Sequence, residues 1–140
     1  MFEEVLFEQP KREVEEYLQR MHSHLKDAYR SPDGRYSASC FAIAMDVAKH
    51  LLKEGKHPYT MAIHGETLPD GHSHKLLIPV VYNGETSWTT HVICCEDDTA
   101  YDPIVGHPIP IEEYRTTVFT EPAVMHVEMN PEQMAGLLNR

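Results

Sequence analysis

The sequence predicts an α+β fold in which a helix that begins on a cysteine packs against an antiparallel β-sheet. Three observations point there. Two helical stretches with apolar stripes occupy the first part of the chain, a run of short strand patterns separated by turn residues follows, and a well-capped helix closes the order. With 140 residues and 41% hydrophobic content, one domain buries roughly two thirds of the surface exposed by its unfolded chain. No repeat, low-complexity tract or linker divides the chain, so residues 1–140 read as a single domain.

After an acidic lead, Pro10 is placed to start a helix in which Val14, Tyr17, Leu18, Met21, Leu25, Ala28 and Tyr29 fall on one stripe. Lys11, Arg12, Glu15, Glu16, Arg20 and Lys26 make its other face a solvated surface. Ser31-Pro32-Asp33-Gly34 breaks the chain. The second helix is expected from about Ser39 to Glu54, stopped by Gly55. Cys40, Phe41, Ile43, Ala44, Met45, Val47 and Ala48 cover nearly its whole circumference at the start, so that end is expected to be buried, and its alanines let a sheet approach closely.

Four strands are then expected: Tyr59 to Ile63, Lys75 to Tyr82, Thr86 to Cys95, and Ala100 to Asp102. Asn83-Gly84 signals a tight hairpin between the second and third, and Pro79, lacking a donor, puts the second at an edge or a bulge. Glu96-Asp97-Asp98-Thr99 is the next reversal. Ile111 to Thr117 reads as a short helix and Ala123 to Met129 as a last strand. The final helix is capped by Asn130, with Pro131 in first position, Gln133 closing a capping box, and Met134, Leu137 and Leu138 on its apolar face.

Twelve Lys and Arg against 22 Asp and Glu give a formal charge of −10, which repels a phosphate backbone or an anionic membrane, so neither nucleic acid nor a membrane is an expected partner. Met1-Phe2-Glu3-Glu4-Val5 lacks the basic and apolar runs of a secretory signal, and no segment reaches membrane-spanning length. The expected compartment is the cytoplasm, with export by a signal-independent route left open. Three cysteines, two adjacent at Cys94 and Cys95, are expected as free thiols.

Cys40 is the first residue to carry chemistry. A helix start leaves backbone N–H groups unpaired and bears the positive end of the macrodipole, which stabilises a thiolate and can hold an oxyanion. A cysteine beside apolar residues also packs well without any chemistry, so the case for Cys40 needs a partner histidine. His91, in Trp88-Thr89-Thr90-His91-Val92-Ile93, lies mid-strand, and Asp102, in Tyr101-Asp102-Pro103, ends the next strand. A reversal centred between Asp97 and Asp98 sets Asp102 opposite Cys94 or Ile93, so contact with His91 calls for an offset or a bulge. In such a set the aspartate orients the imidazole, whose other nitrogen shares a proton with the thiol.

In this order, Ser39-Cys40-Phe41-Ala42, Thr90-His91-Val92-Ile93 and Ala100-Tyr101-Asp102-Pro103 resemble the papain-like and transglutaminase-like superfamily, including NlpC/P60-type peptidases and papain-fold toxins. The resemblance spans about residues 36 to 115. It implies a papain-like fold, a Cys40, His91, Asp102 triad, and hydrolysis or acyl transfer at an amide or thioester carbonyl through a thioester, with a protein, peptide or small amide as substrate and no cofactor. Papain-like peptidases carry an oxyanion-hole glutamine a few residues before the cysteine, where this chain has Gly34-Arg35-Tyr36-Ser37. Tyr36 or a backbone N–H takes that place in the expected site, with Ser39 and Trp88 as further oxyanion or substrate-binding residues. The alternative is a catalytically inactive module of the same fold that binds a protein or peptide in the cleft.

His57, His64, His72 and His74 with Cys94 and Cys95 form the competing group. A zinc site calls for about four converging ligands at short spacings on firm elements, and no C-x-x-C or H-x-x-x-H is present, so no metal is assigned. The loop with Pro69-Asp70-Gly71 and His72-Ser73-His74 is expected to rim the cleft.

Overall fold

The computed structural model describes residues 12–23 and 40–139. Their elements run α1 (Glu13–Ser23), α2 (Cys40–Lys53), β1 (Tyr59–His64), a 3-10 turn (Val80–Tyr82), β2 (His91–Glu96), β3 (Thr99–Tyr101), β4 (Ile109–Pro110), α3 (Ile111–Thr117), β5 (Val124–Met129) and α4 (Pro131–Leu138). The architecture is α+β, with one five-stranded antiparallel sheet in the order β4-β3-β2-β1-β5. Pro10, Leu25, Ala28, Tyr29 and the Ser31 to Gly34 turn lie outside the described residues.

Helix α2 packs across β2 and buries Ile43, Ala44, Val47, Ala48 and Leu51, a single stripe at helical spacing. Its start is not buried all round as expected: Phe41 is 47% exposed and Ala42 is also exposed, because the sheet covers one side of the helix only. Gly55 at φ +77 ends it in a Schellman motif, with Lys56 N–H donating to Leu51 O and Gly55 N–H to Leu52 O, both at 3.0 Å. Helix α1 buries Val14, Tyr17 and Leu18. Its polar side is not wholly solvated, since Arg12 Nε donates to Glu54 Oε1 at 2.6 Å and ties the start of α1 to the end of α2.

The expected strand from Lys75 to Tyr82 is absent. Pro79 cannot donate to a ladder, and the chain passes between Trp88 and Phe119 through single bridges, Leu77 to Trp88 and Pro79 to Phe119, before turning in the 3-10 segment. Asn83 at φ +52 and Gly84 at φ +82 do reverse the chain, but after that turn and not between two strands. The Thr86 to Thr90 part of the next expected strand therefore has only the Trp88 bridge, and the ladder starts at His91. At the other end, Asn130 and Gln133 close the expected capping box at 2.9 and 2.8 Å. Met134 is fully buried there, whereas Leu137 is 40% exposed.

Cys94 and Cys95 point to opposite faces of β2, yet both are fully buried, because the sheet is covered on both sides at this point.

Candidate active site

Three elements meet at the N-terminal end of α2. Cys40 opens the helix and is half-buried, His91 opens β2, and Asp102 follows the last residue of β3; His91 and Asp102 are each 2% exposed. The β2–β3 register needs neither offset nor bulge. Glu96 pairs with Thr99 across a reversal in which Asp97 takes φ +49, and Cys94 pairs with Tyr101, which leaves Asp102 opposite Ile93. Side chains alternate along β2, so Ile93 and His91 share a face, and the carboxylate reaches the imidazole along the diagonal of that face.

His91 Nε2 donates to Asp102 Oδ2 at 2.8 Å, and Cys40 lines the same pocket as both residues, where the imidazole acts on its thiol. Asp102 also accepts from Ile104 N–H on Oδ1 at 3.1 Å and from the Tyr114 hydroxyl on Oδ2 at 2.5 Å. Trp88 stacks on the imidazole with ring centroids 4.7 Å apart and planes at 15°, and Phe119 meets the same ring edge-on at 6.2 Å.

The protonation states follow from competing effects. Burial pushes the Cys40 thiol up, but the hydrogen bond and charge of His91, with backbone hydrogen bonds from Val92 and Phe41, bring it below the ordinary thiol value. Burial alone pulls His91 down, and the Asp102 carboxylate, followed by Cys40, overcomes it and raises the imidazole to about 9. Burial likewise pushes Asp102 up, and His91, Tyr114 and the Ile104 N–H outweigh it to hold the carboxyl below its usual range. Both directions act in favour of a thiolate beside an imidazolium. Burial drives Cys94 up to about 12 and Cys95 further up, so both stay protonated thiols.

The remaining expected site residues divide. Tyr36 and Ser39 lie outside the described residues. Trp88 is 6% exposed and its indole face is taken up by His91, so it supports the histidine instead of lining an open surface. Sequence reasoning missed Tyr114 and Phe119. The spacing of Ile111, Tyr114 and Val118 marks one face of α3 and was the available signal for Tyr114; nothing local marks Phe119.

The competing histidines go elsewhere. Ile63 pairs with His91, so His64 projects from the other face of the sheet, where His74 packs on it at 4.2 Å and His126 at 5.5 Å. The bridge from Thr67 to His74 folds the 65–75 loop back on itself, and Gly65 permits a close approach to the Lys75 carbonyl that a Cβ would meet at 2.2 Å. These rings therefore do not rim the Cys40 cleft as expected. Among the described residues, no group of three or more His, Cys, Asp or Glu side chains is arranged to hold a metal ion, and no helix is long and apolar enough to cross a membrane. Compared with known proteins, the chain matches no family model, no curated protein and no solved structure.

Proposed function

We propose that this chain is a cysteine-dependent hydrolase or acyl transferase of papain-like or transglutaminase-like type, acting on an amide or thioester carbonyl. The observation that carries the reading is the convergence of Cys40, His91 and Asp102 on one pocket, with the His91 ring hydrogen-bonded to the buried Asp102 carboxylate. The three supply a nucleophile, a base and an orienting group, the set that activates a thiol for acyl transfer.

In this reading the Cys40 thiolate attacks the carbonyl carbon, forming a C–S bond and a tetrahedral oxyanion. The His91 imidazolium gives its proton to the departing amine or thiolate as the old bond breaks, leaving a thioester on Cys40 and a neutral imidazole. Water or an amine then attacks the thioester while His91 takes its proton, and collapse returns the thiolate and imidazolium. Asp102 keeps the ring oriented throughout and steadies its positive charge.

The test is acyl-enzyme trapping. The protein is incubated with peptide amides, glutamine side-chain amides and acyl thioesters, with and without hydroxylamine, and its intact mass is followed. The expected result is an acyl adduct that maps to Cys40, is released by hydroxylamine, and is absent from Cys40→Ala. No adduct on any class, together with a cellular partner bound equally well by Cys40→Ala, would assign the cleft to recognition without catalysis.

A further inference from the structure

Asp102 stands just past the end of β3, on a loop, and a carboxylate there has two side-chain torsions to lose before it can orient a histidine. The Ile104 N–H on Oδ1 is a local turn contact, two residues along the same loop. Oδ2 is held from farther away by two donors, His91 on β2 and the Tyr114 hydroxyl on α3, at 2.8 and 2.5 Å. Tyr114 is fully buried, and the Phe119 ring packs edge-on against both the Tyr114 and His91 rings. We propose that Tyr114 is a positioning residue of the Cys40–His91–Asp102 unit: its O–H fixes Oδ2 on the His91 Nε2 side and draws off part of the carboxylate charge felt by the imidazole. This rests on the functional reading above.

A buried tyrosine needs an acceptor in any case, and Asp102 supplies one, so the packing role must be separated from the electrostatic one. The titratable groups against the unit are Cys40 from α2, Cys95 from the same face of β2, Asp102 and Tyr114. Cys95 stays a neutral thiol, and the Tyr114 proton therefore partly offsets the Asp102 charge. Removing the O–H leaves that charge less compensated and stabilises the imidazolium further.

The experiment follows the pH dependence of Cys40 alkylation by iodoacetamide and the titration of the His91 ring by proton NMR. Tyr114→Phe keeps the ring and deletes the donor, and it should move the upper apparent pKa of the thiolate–imidazolium pair upward by roughly half a unit or more. Site-specific 3-fluorotyrosine at 114, nearly isosteric and a stronger donor, should move it downward. Val118→Ala, which thins packing nearby, should leave it in place. Unshifted profiles in both Tyr114 variants, with a perturbed profile in the unmodified protein, overturn the positioning role and leave the functional reading standing. An ordinary thiol profile in the unmodified protein overturns both.

Discussion

Cys40 at the start of α2 and His91 at the start of β2 line one pocket, and each pushes the other towards its charged form. Cys40 is lowered and His91 raised, which favours the charged pair, while burial raises Cys94 and Cys95 and keeps them protonated. A brief iodoacetamide pulse at mildly acidic pH followed by peptide mapping should label Cys40 first. Labelling spread equally over the three thiols would show that the helix start and the imidazole do nothing to Cys40.

The same pair has a signature in stability. His91 has a folded value of about 9 against 6.5 unfolded, so its contribution is fully present below 6.5 and is lost as pH rises through about 9. Cys40 has a folded value below its unfolded 9.0, so its contribution is present above 9.0 and is lost as pH falls through the folded value. The two slopes have opposite signs where they overlap. Urea unfolding of Cys40→Ala should therefore lose stability more steeply than the unmodified protein as pH rises above the folded Cys40 value, up to the folded His91 value of the variant. Parallel curves would show that the thiol is not ionised in the folded state.

Triad substitutions should separate chemistry from orientation. In the proposed mechanism His91→Ala removes the base and should lower turnover by about 10²–10⁴-fold. Asp102→Asn should retain more activity, since it acts on His91 and not on substrate. Steady-state kinetics on whichever substrate acylates Cys40 would decide the order, and an Asp102→Asn protein more impaired than His91→Ala would reverse these roles.

Trp88 stacks on His91 and is nearly enclosed. Trp88→Ala should cost about 3–5 kcal/mol of stability, and Trp88→Phe, which keeps an aromatic face, much less. In Trp88→Phe, kcat should fall with KM little changed, because the side chain steadies the base instead of touching substrate. A rise in KM alone would return Trp88 to a substrate-binding role.

Gly106 takes φ +91, and a Cβ there would meet the His22 ring at 2.8 Å. His22 Nδ1 donates to the Pro103 carbonyl at 2.9 Å, so this contact clasps α1 to the loop that starts at Asp102. Gly106→Ala should destabilise the fold by roughly 1–3 kcal/mol, from strain and clash together. Adding His22→Ala should recover only part, since the positive φ remains. Full recovery in thermal unfolding would show that the backbone conformation costs nothing.

The information that lies close along the chain was legible in the sequence. The Gly55 stop, the Asp97-Asp98 reversal, the Ile111 to Thr117 helix and the Asn130 capping box all depend on contacts within a few residues, where torsional preference and local hydrogen bonds decide. The α+β class followed from the same patterns. Tertiary structure decided whatever depends on which surfaces meet. It turned Lys75 to Tyr82 into two single bridges and a turn because Pro79 has no donor and Trp88 and Phe119 lie on either side. It sent His64, and with it His74, to the far face because a one-residue step along β1 reverses the side chain. It also brought Tyr114 and Phe119, remote in sequence from His91, against Asp102 and the imidazole, since a buried carboxylate and a buried ring collect their partners from whatever elements close over them. Cys40, His91 and Asp102 stood out by residue type and order, whereas their contact, and the charges that it sets, exist only once α2 lies across β2.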